Sequence, residues 1–346
     1  MISNSIISNS SIITSDMILS TISWEDPLVE IEILQQISLS DPCPTVLMMG
    51  KSMDSAIALS GLSKFLHHIT ILCHSDFEEA LINLKINLLN TYHNPIDRMK
   101  FLDGSHPPST MNIMYTELAY NMTASMKLFW NKNRDLIYNG LIYKDSWMKL
   151  FKCVKDRTEP NKISKIFNYR DLLKIMDKNI PSYDSIINSI KVPFSKYIRQ
   201  VYLDLIEDYK NPYSSLIINC KYDYTMYPKM FDSGRINSYS ISTLRKGPVI
   251  EYLLEYSEEE YSMISLSNLT DIILSIKDLE LLIKYICKHL KPDGRAIFRR
   301  RATDFELYPL INKQMIIVNH QYNQFIDHTH LYNELIVATP RSTKIN

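Results

Sequence analysis

The stretch DHTHLY at 327–332 places acidic, imidazole and phenol side chains next to one another. His328 and His330 are of a type that binds zinc, but no cysteine or acidic partner stands at a known zinc-ligand spacing from them. We therefore expect no metal site. Asp327, His328 and Tyr332 could instead transfer protons to or from a substrate, since carboxylates, imidazoles and phenols act as general acids and bases.

A second set of polar residues follows segments that we expect to form strands. Asp271 ends the stretch NLTD, and three consecutive arginines occupy 299–301. A guanidinium binds a carboxylate through two parallel N–H donors, and a carboxylate binds an ammonium, so Arg299 and Asp271 could hold an amino-acid group. Because side chains alternate along a strand, Arg299 and Arg301 share one face, and the three arginines cannot all line one pocket.

The stretch SWEDP at 23–27 has the residue types of a helix start. Ser23 could be the N-cap, with Asp26 at the capping-box position. Glu25 and Asp26 would both suit the positive end of a helix. The residue types by themselves therefore indicate a helix cap.

The loop MGKSMDSA at 49–56 has two interpretations. Ser52, Asp54 and the N–H groups at a helix start could face a ligand. Alternatively, Asp54 simply caps the helix that follows an ordinary strand-to-helix turn. The sequence leaves both interpretations open.

Apolar runs and helical spacing alternate at both ends of the chain. PTVLMMG (44–50) and ITILC (69–73) predict buried strands, and each is followed by helical spacing. This βαβ pattern predicts a parallel, doubly wound sheet in an α/β fold. The other expected elements are helices at 54–68, 76–92 and 279–294, a strand at 261–271 that leads into a polar loop, a strand at 295–302, and a closing strand pair at 315–319 and 333–339.

The proline-interrupted middle of the chain predicts several short helices. We therefore expect a flexible leader at 1–17, a sheet domain formed by 18–111 and 251–346, and a large helical insertion at 112–250. Ligands of such sheets bind at the carboxyl ends of the strands.

Composition excludes several functional classes. The 346 residues carry 38 basic and 38 acidic side chains, and this balance argues against nucleic-acid binding. Five scattered cysteines indicate reduced thiols in a cytoplasmic protein. Only 7 glycines occur, and neither a dinucleotide nor a P-loop glycine motif is present. No apolar run approaches about 18 residues, so any contact with a membrane would be peripheral.

Taken in order, nine stretches resemble the family of S-adenosylmethionine-dependent 3-amino-3-carboxypropyltransferases, whose best-known member makes the homoserine headgroup of betaine lipids from diacylglycerol. The resemblance runs from about residue 18 to 339, and Lys85 matches a lysine of the family's second helix. In chain order the stretches are SWEDP, MDSAIAL, EEALINLKINLL, FLDG, FWNKNRDLIYNGLIY, NPY, NLTD, KPDGRAIFR and DHTHLY. The chain departs from the family at Met53 and Ser55, where glycine and asparagine are usual, and at Cys73, where an acid usually binds the ribose.

The resemblance implies a Rossmann-like, methyltransferase-type sheet with S-adenosylmethionine as co-substrate and 5′-methylthioadenosine as product. It implies that Asp327, His328 and Tyr332 act on the acceptor, which would be a lipid hydroxyl or a small-molecule amine or hydroxyl bound by the insertion. A methyltransferase and a non-catalytic binding protein on the same scaffold remain alternatives. The residues expected to bind the co-substrate are Trp24, Glu25, Asp26, Gly50, Ser52, Asp54, Ser55, Cys73, Asp76, Asp103, Asn268, Asp271 and Arg299.

Overall fold

The computed structural model of the protein describes most of the chain. The described residues are 21–62, 66–157, 194–208, 210–232, 236, 241–246, 249–256, 260–272, 275–300, 307–318, 327–332 and 334–341. The expected leader at 1–17 and Arg301 lie outside these residues.

Seven strands form one sheet in this part of the chain. They are β1 Thr45–Met49, β2 His68–Cys73, β3 Ile241–Lys246, β4 Tyr261–Ser265, β5 Leu290–Arg300, β6 Met315–Ile317 and β7 Glu334–Pro340. Their order is β3-β2-β1-β4-β5-β7-β6. Neighbours from β3 to β5 are parallel, whereas β7 is antiparallel to both β5 and β6. The fold is therefore mixed α/β, and the strands expected near 44–50, 69–73, 295–302, 315–319 and 333–339 are confirmed. Within 261–271 the strand ends at Ser265, and Leu269–Ile272 is a short helix where a polar loop was expected.

Both faces of the sheet are buried. Along β1, Val46 and Met48 belong to one apolar core, whereas Leu47 and Met49 belong to a second core. Burial on both sides explains why β1 is a continuous apolar run rather than an alternation of polar and apolar residues.

Helices connect the strands and form most of the described chain between β2 and β3. They are α1 Pro27–Ile37, α2 Met53–Leu62, α3 Asp76–Thr91, α4 Pro95–Leu102, α5 Pro108–Tyr120, α6 Ala124–Lys132, α7 Arg134–Tyr138, α8 Ser146–Arg157, α9 Phe194–Glu207, α10 Ser214–Ile218, α11 Val249–Glu255, α12 Leu269–Ile272, α13 Ile276–His289 and α14 Tyr308–Asn312. Short 3-10 turns cover Gly50–Ser52, Leu141–Lys144 and Lys229–Asp232. Buried residues of α4 to α10 share the apolar core of α1, α2 and α3. None of the described helices is long and apolar enough to cross a lipid bilayer.

Three boundaries differ from the sequence expectation. β3 lies inside the range 112–250, which was expected to be a helical insertion. No strand was expected there because the sequence of this edge strand, ISTLRK, contains no apolar run. The helix expected at 279–294 ends at His289, and its Pro-Asp-Gly segment lies in β5. The helix expected at 54–68 is described over Met53–Leu62, and His68 is the first residue of β2 rather than the last residue of a helix.

Candidate functional site

The SWEDP segment is a helix start, but Asp26 rather than Ser23 is the cap. Asp26 Oδ1 accepts a hydrogen bond from the Leu28 N–H at 3.1 Å, and Pro27 is the first residue of α1. Proline suits this position because its fixed φ matches the helix and its missing N–H would have no partner there. The prediction that Ser23 caps the helix is wrong.

Arg299 is fully buried at the centre of an ion cluster. Its Nη1 and Nη2 bind the two Glu30 oxygens at 2.5 and 2.8 Å, and its Nε binds Asp327 Oδ2 at 2.8 Å. Glu25 Oε2 lies 3.6 Å from Nη1, and Nη2 also donates to the Asp26 carbonyl at 3.3 Å. Burial opposes the charge on Arg299, but the carboxylates of Glu30, Glu25 and Asp327 outweigh it and raise the pKa of the guanidinium.

This geometry corrects the role expected for Arg299. Its N–H groups bond to carboxylates and a carbonyl of the chain itself, so they are not directed at the carboxylate of a bound amino acid. Instead the ion cluster joins α1, β5 and residues 327–332. Glu30, which the sequence analysis missed, is 0% exposed, and also accepts a hydrogen bond from Ser265 at 2.8 Å.

The structure brings His328 to the helix start as well. His328 Nδ1 bonds to Asp26 Oδ2, and the His328 side chain is 40% exposed. The His328 carbonyl accepts a hydrogen bond from Asn211 Nδ2 at 2.5 Å. Trp24, Glu25, Asp26, Arg299, Asp327 and His328 therefore belong to one region.

The His328–Asp26 contact predicts a pH-dependent stability. The hydrogen bond from His328 to Asp26 raises the pKa of His328, although burial opposes the rise. The pKa of His328 in the folded protein exceeds its unfolded value of about 6.5. The contact with Asp26 therefore stabilises the folded protein fully below the unfolded pKa, and this stabilisation disappears as pH rises through the folded-state pKa. We expect His328→Gln to lower the melting temperature most at mildly acidic pH and least at alkaline pH. Melting curves of both proteins across this range test the prediction, and an offset that is equal at every pH would contradict it.

A second buried ion pair lies beside the first. Lys85 Nζ, on α3, binds Asp54 Oδ1 at 2.6 Å and the Thr21 carbonyl at 2.7 Å. Asp54 Oδ2 accepts the Ser23 N–H at 2.8 Å. Asp54 lies inside the first turn of α2, so it bonds to the N-terminal segment rather than capping its own helix.

Asp145, which the sequence analysis did not select as a site residue, holds the N-terminal segment from the other side. Its carboxylate accepts the Trp24 indole N–H at 3.0 Å and the Thr21 N–H at 2.9 Å. It also accepts the N–H groups of Trp147 and Met148 at 2.8 and 3.3 Å, and that of Ile22 at 3.3 Å. Burial raises the pKa of Asp145, while these N–H donors act in the opposite direction. An aspartate directly before an apolar helix is the N-cap signal that could have identified this residue.

The carboxyl ends of β1 and β2 meet at Gly50 and Glu78. A Cβ on Gly50 would lie 2.7 Å from Glu78 Oε2, so glycine leaves room for this carboxylate. Glu78 Oε2 also accepts the His74 N–H at 2.7 Å. The acidic side chain at the carboxyl ends of β1 and β2 is therefore that of Glu78. Cys73, where the resemblance places an acid, is buried, and Asp76 is the exposed first residue of α3. The sequence SDFE could have drawn attention to Glu78, because a serine and a glutamate three residues apart form a capping box at the start of a helix.

The carboxyl end of β4 carries further polar residues. Ser267, at φ 57°, is buried, and its hydroxyl donates to the side-chain oxygen of Asn268 at 3.4 Å.

Ser55, on α2, is fully buried, and its hydroxyl has no hydrogen-bond partner among the described residues. The side chains of Ser52 and Asp271 are not among those that the structure describes.

Two predicted residues have local structural contacts. Asp103 accepts the Ser105 N–H at 3.0 Å and the Tyr224 hydroxyl at 2.9 Å. Tyr332 is partly buried against the main apolar core. Within the described parts of the chain, no group of three or more histidine, cysteine, aspartate or glutamate side chains is arranged to bind a metal ion.

No protein-family model matches this chain. A search among curated proteins finds no significant match.

Proposed function

We propose that this protein transfers the 3-amino-3-carboxypropyl group of S-adenosylmethionine to an acceptor nucleophile and releases 5′-methylthioadenosine. The observation that carries this proposal is the strand order β3-β2-β1-β4-β5, with polar residues following β1, β2 and β4. The order of these five strands supports a Rossmann-like sheet, and in such a sheet a ligand would bind where the order reverses, between β1 and β4.

Two features favour a methyltransferase-type sheet over a dinucleotide-binding one. The chain contains no G-x-G-x-x-G motif, and its antiparallel β7 lies between β5 and β6. Glu78, beside Gly50, is the residue that we assign to the ribose hydroxyls in place of the acid replaced by Cys73. In this proposal the helices between α3 and β3 form the insertion that binds the acceptor.

The proposed reaction is an in-line displacement. The acceptor nitrogen or oxygen forms a bond to the γ-carbon of the methionine chain, the carbon–sulfur bond breaks, and the sulfur keeps the electron pair. The sulfonium charge is thereby lost, and methylthioadenosine leaves as a neutral molecule. The proton of the acceptor passes to a base, for which His328 is the candidate, because Asp26 orients its imidazole and stabilises its charged form.

A methyltransferase is the second candidate, because the same sheet order would serve a reaction at the methyl carbon. The released nucleoside distinguishes the two reactions. We expect methylthioadenosine when the protein is incubated with S-adenosylmethionine and either an amine mixture or diacylglycerol vesicles, and mass spectrometry identifies it. Release of S-adenosylhomocysteine would instead support the methyltransferase.

The co-substrate site has its own test. We expect Glu78→Gln to weaken S-adenosylmethionine binding by about tenfold or more, because a hydrogen bond to a charged group contributes about 1.5–3 kcal/mol. Glu79→Gln, on the next position of α3, is the matched control and should bind as the wild type does. Calorimetry measures both affinities. If the wild-type protein binds no S-adenosylmethionine, the proposed function is wrong.

A further inference from the structure

Residues 327–332, which include His328, belong to no helix or strand. A regular ladder of backbone hydrogen bonds therefore does not fix them, and His330 has a positive φ of 54°. A residue other than glycine takes this left-handed conformation only where its surroundings enforce it. Contacts with other elements must therefore hold residues 327–332, and with them the imidazole of His328.

The sheet domain supplies some of these contacts. Asp327 Oδ2 accepts a hydrogen bond from the buried Arg299. Thr329 is fully buried, and its hydroxyl lies 2.6 Å from Asp327 Oδ1 and 3.4 Å from the Trp24 carbonyl. These bonds involve the side chains on either side of His328, and they do not reach the His328 peptide itself.

Asn211, which follows α9, holds that peptide from the side of the insertion. It is 1% exposed, and its Nδ2 donates to the His328 carbonyl at 2.5 Å and to Asp208 Oδ2 at 3.1 Å. Its Oδ1 accepts the Tyr213 N–H at 2.9 Å, which forms a local turn across Pro212. Both donors and the oxygen of the amide are thus engaged, and an aspartate of the same shape would have no donor for the two acceptors.

Asn211 and Asp26 hold His328 at its two ends. Asp26 Oδ2 bonds to Nδ1 of the imidazole, while Asn211 bonds to the carbonyl of the same residue. The second ring nitrogen, Nε2, is the one that can accept a proton when Nδ1 donates to a carboxylate. The side chain is 40% exposed, so a substrate can reach it. A general base must lie within hydrogen-bond reach of the proton that it removes, so its orientation matters as much as its pKa.

We propose that Asn211 is a positioning residue for His328, fixing the His328 peptide so that Nδ1 meets Asp26 and Nε2 is presented to the acceptor. The role of His328 as the base rests on the proposed function, whereas the orientation of its imidazole can be tested without it. In this inference the insertion orients the base in addition to binding the acceptor.

The titration of His328, followed by NMR of the histidine ring protons in the whole chain, tests this positioning. The test variant is Asn211→Ser, because a serine hydroxyl can still accept the Tyr213 N–H but is too short to reach the His328 carbonyl. The reference variant is Asp26→Asn, which removes the charge beside the imidazole and keeps a good N-cap for α1.

Asn133→Ser is the matched control. Asn133 is a buried asparagine of the insertion, and its Nδ2 donates to the Phe129 carbonyl at 2.9 Å. Its replacement removes a buried amide of the same kind without touching residues 327–332. A melting curve of each variant verifies that it is folded.

The charged groups near the imidazole are the same in the test variant and the wild type. They are Asp26 and Glu32 at and within α1, Asp208 after α9, and Asp327 on the same segment. Because Asn211→Ser removes no charge, a lower titration midpoint in this variant reports that the imidazole has lost its contact with Asp26.

We expect Asn211→Ser to lower the midpoint of His328 toward the ordinary histidine value of about 6.5, part of the way to the midpoint in Asp26→Asn. Asn133→Ser should titrate as the wild type does. In the release of methylthioadenosine, kcat of Asn211→Ser should fall at least about tenfold with KM for S-adenosylmethionine unchanged, because general-base catalysis contributes about 10²–10⁴-fold.

The inference is overturned if folded Asn211→Ser titrates as the wild type does, or if Asn133→Ser lowers the midpoint equally. If Asn211→Ser does not fold, Asn211→Thr takes its place with the same outcomes, since threonine keeps the hydroxyl acceptor and more of the side-chain volume.

Failure of the proposed function has a different signature. A wild-type protein that forms no methylthioadenosine, with a lowered His328 midpoint in Asn211→Ser, would refute the proposed function and support the positioning. A lowered midpoint with an unchanged kcat would likewise support the positioning and refute the role of His328 as the base.

Discussion

Arg299→Leu is expected to lower the free energy of unfolding by about 3–5 kcal/mol, or to prevent folding. The guanidinium is 0% exposed and binds both oxygens of Glu30 and one oxygen of Asp327, with Glu25 also within 4 Å. Removing it leaves three buried carboxylates without their cation, and the cost is the desolvation of charges that have lost their partner. Urea unfolding followed by circular dichroism measures the effect.

The matched control is Arg295→Leu on the same strand. Arg295 Nη1 bonds to the carbonyls of Asp293 and Gly294 and to the Thr339 hydroxyl, at a half-buried position. Its replacement should cost about 1 kcal/mol or less. Equal destabilisation by the two substitutions would show that the ion cluster has no special role.

A double substitution separates the charge from the packing. If unpaired carboxylates cause the loss, Arg299→Leu combined with Glu30→Leu should be more stable than Arg299→Leu alone, because an apolar pair can replace a buried ion pair. Glu30→Gln keeps the shape and removes one charge, so it should fold even if Arg299→Leu does not. A double variant less stable than both single variants would contradict this explanation.

Asp145→Ala is expected to have an effect of similar size, a loss of about 3–5 kcal/mol. The carboxylate accepts hydrogen bonds from the Trp24 indole and from four backbone N–H groups. A buried donor without an acceptor costs about 1–3 kcal/mol, and loss of a helix N-cap about 1 kcal/mol. The sum of these individual costs exceeds the expected loss of stability, because water can reach some of the N–H donors once the Asp145 side chain is removed.

Asp156→Ala is the control for this prediction. Asp156 lies on α8, the helix that Asp145 caps, but is exposed. Its replacement should change stability by no more than about 0.5 kcal/mol. Asp145→Asn should also destabilise the protein, because its amide group would place N–H donors against N–H donors. A stable Asp145→Asn protein would show that the carboxylate is not required.

Local patterns in the sequence predicted much of the secondary structure. The buried strands β1 and β2 were found because apolar runs of this length need burial on both sides. The helix α3 was found because Phe77, Leu81 and Leu84 recur at helical spacing. The edge strand β3 was missed, because its polar residues alternate with apolar ones inside a segment of helical character.

The candidate site could be predicted only in part. Trp24, Glu25, Asp26, Arg299, Asp327 and His328 were selected, and they do lie together. Their partners were not predictable, because Glu30 and Arg299 are 269 residues apart, and Asp145 is 121 residues from Trp24. The sequence spacing pointed to Cys73 and Asp76 rather than to Glu78, whose carboxylate lies beside Gly50, since the reach of a side chain depends on how α3 leaves β2.

The sequence by itself determined the main strands and helices of the sheet domain and the polar residues that stand near strand ends, because both depend on local spacing. Only the tertiary structure decided what those residues contact. Arg299 binds carboxylates of the chain itself, Asp54 pairs with Lys85 instead of capping its helix, and Ser23 donates its N–H to Asp54 instead of capping α1. The physical reason is that a buried charge or hydroxyl takes the partner that folding brings within hydrogen-bond distance, and sequence spacing does not specify that partner.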